Sequence, residues 1–193
     1  MNGTSALKLD ARYTYKDYSS WPEDERWELI DGIAYAKAAP SQSHQSLLLK
    51  LARQLGSYLD GKPCKVFIAP FSVRLNADTG DDTVVEPDIL VVCDKSKLDG
   101  KGVVGAPDMV IEILSPSTAK YDRDAKFKLY LRSGVKEYCI VDPDLKLLTV
   151  HILHEVGYVS RSYNDQDTAV PVEVLDDCTI NLVDVFEVLD DML

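Results

Sequence analysis

Apolar and polar positions alternate, cluster and recur along this chain in a way that sorts most of it into elements. "RWELIDGIAYAKA" reads as a hairpin, because Asp31-Gly32 is a tight-turn dipeptide between two strand-like runs. Before it, "YKDYSSWPEDE" predicts a short helix and a turn, and the first dozen residues carry no periodicity, so residues 1–12 are expected to be loosely ordered. In "SHQSLLLKLARQLGSYLD" Leu47, Leu48, Leu51, Leu55 and Leu59 recur at helical spacing, with Ser41 or Ser43 placed to cap the start. Three strand-like runs follow, "CKVFIAPFSVRL", "TVVEPDILVVCD" and "DMVIEILS". The last two are almost continuously apolar, the pattern of strands covered on both faces. "KSKLDGKGVVGAP" reads as a loop, and "SPSTAKYDRDAKFKLYLRSG" as an α-helix that begins at a Ser/Thr signal and stops at Gly134. "VKEYCIVD" is a further buried strand, "LKLLTVHILHEVGYVSRSY" an outer hairpin, and "INLVDVFEVL" a last helix docked through Leu182, Val185, Phe186 and Leu189.

The predicted core order is therefore helix, strand, strand, strand, helix, strand, an α/β arrangement on a mixed sheet, with an N-terminal hairpin and extra C-terminal strands. A length of 193 residues fits one domain. No apolar run approaches the roughly 20 residues of a membrane helix, and the N-terminus has no apolar signal core, so no membrane partner and a cytoplasmic location are expected. Cys64, Cys93, Cys139 and Cys178 are widely spaced without a CxxC pair, which predicts buried free thiols rather than a zinc or disulfide set.

Charge changes the picture once it is located. The net charge is −11, but residues 164–193 hold nine acidic residues and no lysine or arginine. The rest has 23 acidic against 21 basic residues, a net of −2, so a polyanionic partner is not excluded. The acids of the last segment are expected to face away from any nucleic-acid path.

Two acids sit where acids are costly. Asp88 and Glu112 each lie in an apolar strand, and an ionised carboxylate there costs several kcal/mol unless something compensates it. Pro87 marks an end, edge or bulge beside Asp88. Alternation puts Asp88 on one face with Leu90 and Val92, and Glu112 with Val110 and Leu114. If those strands are neighbours, both carboxylates reach one cation, and a hard divalent ion such as Mg2+ or Mn2+ suits such oxygen ligands. The plainer reading is that each acid caps a helix or pairs with one lysine. The next helix bears on that choice: at about 100° per residue, Lys126 falls about 40° from Asp122 on the arc that also holds Leu129 and Tyr130, whereas Lys128 falls about 240° away, between Asp124 and Arg132. Lys126 thus points inward, where it wants a carboxylate, and Lys128 points to water.

The segments "WELIDG", "EPDILVV", "GAPDMVIEILSPST", the Asp122–Lys126–Tyr130 spacing, "SGVKEYCIVDP" and "INLVDVFEVL" resemble the Uma2 family, restriction-endonuclease-like proteins of the PD-(D/E)xK nuclease superfamily. The resemblance implies a restriction-endonuclease-like core and Mg2+-dependent (or Mn2+-dependent) hydrolysis of DNA. It assigns Asp88, Glu112 and the Ile113 carbonyl to the metal, Lys126 to the attacking water or the transition state, and Glu28 to a further ligand position. His44 matches a family position, and Asp122 and Tyr130 flank the lysine. One departure stands out: Leu114 occupies the usual lysine position, and Lys126 on the following helix takes its place. That shift leaves room for a nuclease-like module that binds nucleic acid or a protein without cutting, and for an enzyme acting on another phosphate-bearing ligand. Cutting both strands of a duplex would call for a homodimer.

Overall fold

The computed structural model describes residues 11–22, 25–116 and 119–190. Of the segment expected to be loosely ordered, residues 1–10 lie outside these, as do Ser117 and Thr118 of the predicted helix start and Asp191 of the acidic segment. A short helix, α1 (Tyr15–Tyr18), leads into the hairpin β1 (Trp27–Ile30) and β2 (Ile33–Ala36). Its turn residues Asp31 and Gly32 both have positive φ, 49° and 76°, as the predicted dipeptide requires. Helix α2 (Gln42–Leu59) is capped by Ser41, whose Oγ accepts the His44 N–H at 3.2 Å.

The continuous strands expected at 64–75 and 83–94 are each two strands. β3 (Lys65–Ile68) and β4 (Ser72–Arg74) part at Ala69-Pro70, a cis peptide; β5 (Val84–Val85) and β6 (Ile89–Val92) part at Glu86-Pro87-Asp88. At both places a proline, which cannot donate to a ladder, lets the chain leave one sheet for another. The predicted loop at 95–107 contains a strand, β7 (Gly102–Val104), parallel to β4. After β8 (Met109–Ile113) the expected α-helix is three pieces: α3 (Ala119–Tyr121), a π-helical turn (Asp122–Lys126) and α4 (Phe127–Ser133). Gly134 ends α4 in the left-handed region at φ 80°, with its N–H and that of Val135 returning to Leu131 and Tyr130 carbonyls. β9 (Glu137–Asp142), β10 (Leu147–His154), β11 (Gly157–Asn164), β12 (Val170–Pro171), β13 (Thr179–Ile180) and α5 (Leu182–Asp190) complete the chain.

The predicted core order holds within one mixed sheet, β11-β10-β9-β8-β6-β3, in which β8 and β9 are parallel and the other pairs antiparallel. A second sheet runs β2-β1-β5-β4-β7. Alternation along β6 and β8 sends Ile89, Val91, Met109, Ile111 and Ile113 into a core shared with α2 and α5. It sends Leu90, Val92, Val110 and Leu114 into a second core with Ile30, Val73 and Val85 of the smaller sheet and Leu129 and Tyr130 of α4. Both faces are covered, which is why these strands read as unbroken apolar runs.

Two expectations about side chains are corrected. Cys64 and Cys93 form a disulfide, and only Cys139 and Cys178 are free and buried among the described residues. The pairing follows from the register of Lys65 opposite Val92, which stands two residues 29 apart in sequence side by side, and spacing alone does not reveal that. The acidic C-terminal segment is also less bare than its composition implies. Asp184 and Glu187 each lie 2.7 Å from Lys50 on α2, Arg53 reaches Asp184 at 3.1 Å, and Asp190 meets Lys146 at 2.5 Å.

Glu137, fully buried at the start of β9, accepts the Val174 N–H at 3.0 Å and so ties the segment before β13 to the sheet. Burial lifts its carboxyl to about 7, helped by the nearby Glu173 charge. The folded state holds that proton more tightly than the unfolded chain does. Unfolding therefore releases it between the ordinary value of 4.5 and about 7, and stability falls as pH rises through that window. Urea denaturation at pH 5 and pH 8 is expected to show the wild type losing about 2–3 kcal/mol relative to Glu137→Gln. Parallel losses in both proteins would assign the pH dependence elsewhere.

Candidate active site

The strand register sets the site. Ile89 stands opposite Ile111, and one residue beyond that pair come Asp88 and Glu112, at the point where Pro87 ends β6. Asp88 Oδ2 accepts the Ile113 N–H at 2.8 Å and lies 3.0 Å from His44 Nε2, so the first turn of α2 and strand β8 fix it from two sides. Glu112 Oε1 accepts from Lys126 Nζ at 2.8 Å and from the Tyr130 hydroxyl at 2.7 Å. Lys126 also donates to Glu28 Oε1 at 3.0 Å and lies 3.6 Å from Asp122 Oδ1. Glu28 comes from β1, across from Tyr35 on β2, and its Oε1 additionally accepts the Glu86 N–H at 3.0 Å and Lys37 Nζ at 3.2 Å. Lys128 is on the opposite side of α4, 70% exposed and paired with Asp124 at 2.5 Å.

The structure thus brings all eight residues singled out in the sequence to one place. Glu28, His44, Asp88, Glu112, Ile113, Asp122 and Lys126 line a single cavity of about 270 Å³, and Tyr130 supports it from behind through Glu112. Sequence reasoning missed Lys37, Tyr35, Tyr121 and Arg26, which line the same cavity. Alternation along β2 carried a signal for two of them, since Tyr35 and Lys37 share a face with each other. Nothing local marked Tyr121 or Arg26.

Negative charge is in excess here. Glu28, Asp88, Glu112 and Asp122 face Lys126 and Lys37. Burial pushes the Glu28 carboxyl up, but Lys126, Lys37 and the Glu86 N–H outweigh it and hold it below the usual range. Asp88 behaves alike: burial raises it, and the His44 and Ile113 bonds bring it below normal. Glu112 goes the other way. Burial dominates, Lys126 opposes, and the charges of Asp88, Asp122 and Glu28 leave its carboxyl at about 8. Burial lowers Lys126, but Glu112, Glu28 and Asp122 keep its ammonium well above the usual range. One lysine shared by three carboxylates cannot compensate them all, and Glu112 bears the deficit.

That deficit bears on whether a divalent ion fits. No group of three or more His, Cys, Asp or Glu side chains among the described residues is arranged to hold one. Mg2+, however, keeps several waters and is commonly held by one or two carboxylates plus substrate phosphates. Asp88 and Glu112 each have one oxygen fixed by hydrogen bonds, and the second oxygen of each is the one an ion would take, with the Ile113 carbonyl beside them. The donor set is hard, its charge is uncompensated, and the residues fit the ion.

The family model described as Uma2, "Putative restriction endonuclease", matches residues 15–183. Two uncharacterized proteins of Synechocystis sp. are similar: one is 31% identical over 65% of this chain and 66% of its own length, slightly under two thirds. The other is 25% identical over 72% of this chain and 77% of its own. Among solved structures, a protein of Anabaena variabilis described as "a putative nuclease belonging to DUF820" superposes with a TM-score of 0.74, covering 91% of this chain and 98% of that one at 20% identity. That likeness supports the nuclease-type mixed α+β fold that the strand order describes. With a match over most of its length, the chain belongs to the Uma2 family of restriction-endonuclease-like proteins.

Proposed function

We propose that this chain hydrolyses phosphodiester bonds in DNA with the help of a divalent ion, Mg2+ or Mn2+. One observation carries the reading: Asp88 and Glu112 lie side by side on neighbouring strands, and Lys126 from the following helix reaches Glu112 in the same cavity. Asp88 and Glu112, with the Ile113 carbonyl, would hold the ion; when bound it would neutralise phosphate charge and lower the pKa of a coordinated water. His44 and the Ile113 N–H orient Asp88, and Tyr130 orients Glu112. Lys126 supplies a fixed positive charge for the oxygen that becomes negative as the bond breaks, and Glu28 and Asp122 hold that ammonium in place. Incubating supercoiled plasmid with the purified protein and Mg2+ or Mn2+ tests the reading. Nicking that stops on adding EDTA supports it, and intact plasmid under all conditions refutes it.

The ion-free state favours a second reading, a module that binds without cutting. Lys126 is tied to Glu112 and Glu28 and is only 3% exposed, so it is closed to substrate until that arrangement opens. Metal binding separates the two readings at their root. Calorimetry is expected to show Mn2+ binding to the wild type and none to Asp88→Ala or Glu112→Ala, since each loses one of two charged ligands. Equal Mn2+ affinity in wild type and Asp88→Ala would put the ion elsewhere.

A further inference from the structure

The cavity has features that a double helix does not use. Its charged floor is nearly closed, with Glu28, Glu112, Asp122 and Lys126 each 2–3% exposed. Its rim holds an aromatic pair, Tyr35 from β2 and Tyr121 from the end of α3, with ring centroids 5.0 Å apart and planes inclined by 41°. Tyr35 is 36% exposed, so one ring of the pair is open to a planar partner. The volume, about 270 Å³, is at the small end for a ligand pocket and suits one nucleotide unit.

The cavity walls also carry unmet hydrogen-bonding capacity. Four buried side-chain polar atoms lack a partner among the described residues, and three of them, Arg26 Nε, His44 Nδ1 and the Tyr121 hydroxyl, belong to residues that line this cavity. Such atoms are uncommon in folded proteins and call for a specific explanation. A ligand with polar edges and a flat ring explains all three together with the open aromatic face.

A phosphate of an intact duplex meets these conditions poorly. Its neighbouring bases are stacked inside a stiff helix, and a group at the bottom of a narrow pocket is reached only when the nucleotide leaves the stack. An unpaired nucleotide has a free base to lay on an aromatic ring and a flexible backbone to bring its phosphate inward. We propose that the cavity receives an unpaired nucleotide of a single strand, whose base stacks at Tyr35 and Tyr121 while its phosphate passes Lys37 toward Lys126. This deepens the proposed nuclease function and rests on it for the phosphate; the stacking stands on the tyrosines.

Fluorescence anisotropy with the full chain tests it, using a labelled 12-nucleotide single strand and the blunt duplex of the same sequence. Ca2+ is added as the hard cation. The single strand is expected to bind at least tenfold more tightly than the duplex. Tyr35→Ala and Tyr121→Ala are each expected to weaken single-strand binding roughly tenfold, the scale of one lost base–aromatic stack. Tyr121→Phe keeps the ring and is expected to lose less than Tyr121→Ala, which guards against a misfolded alanine variant; so does the exposed position of Tyr35. Equal binding of strand and duplex overturns the inference. So does the absence of single-strand binding, or alanine variants that bind like wild type. Cleavage is read separately. Selective single-strand binding without cleavage in Mg2+ or Mn2+ keeps this inference and removes the hydrolase reading. Duplex cut as fast as single strand does the reverse.

Discussion

Lys126→Ala is expected to slow plasmid nicking by about a hundredfold or more, the scale of losing one preorganised charge at a transition state. Lys128→Ala is expected to change it less than about twofold, because an exposed ion pair contributes little. The two lysines are two residues apart, yet one is 3% exposed among three carboxylates and the other is 70% exposed beside Asp124. Removing Lys126 also leaves Glu28, Glu112 and Asp122 without their shared cation, and breaking a buried pair this way costs about 3–5 kcal/mol of stability. Rates are therefore compared where urea denaturation shows both variants folded. Equal losses in the two would sink the assignment of Lys126, and a greater loss at Lys128 would reverse it.

Phe186→Ala is expected to destabilise the protein by about 3–5 kcal/mol, while Val183→Ala on the same helix stays within about 0.5 kcal/mol. Phe186 is 1% exposed in the core that α5 shares with α2 and the six-stranded sheet, and Val183 is 41% exposed. Helix α5 is thus a wall of the main core despite its acidic composition. Midpoints of urea denaturation decide the matter, and a small effect of Phe186→Ala would mean that α5 docks only loosely.

How far the sequence was readable depended on whether the deciding interaction was local. Helical spacing exposed α2 and α5, and Asp31-Gly32 exposed the first hairpin, because a few adjacent residues determine each. The inward direction of Lys126 was readable too, since Lys126, Leu129 and Tyr130 form one short, regular stretch at the start of α4. The splits at Ala69-Pro70 and Glu86-Pro87-Asp88 were missed as sheet changes because a run apolar on both faces looks the same in one sheet or two. The Cys64–Cys93 pairing depends on strand register, and the arrival of Lys37, Tyr121 and Arg26 at the cavity depends on how the smaller sheet and the helix close over it. The ion pairs of α5 needed partners on a helix about 130 residues away in sequence. Composition had counted those acids without their partners.

The π-helical turn at Asp122–Lys126 gives the protein an adjustment that a regular helix lacks. It contains one more residue than an α-turn would use, inserted between the part of the helix that carries Tyr121 and the part that carries Leu129 and Tyr130. Loss of a residue such as Ala125 would leave the downstream frame intact and rotate everything upstream by about 100° relative to it. Tyr121 and Asp122 would swing away from Lys126 although no side chain in the cavity had been replaced. A change in chain length, rather than in chemistry, could therefore separate the rim of the cavity from its floor, so that relatives identical at every charged position could still differ in what they admit.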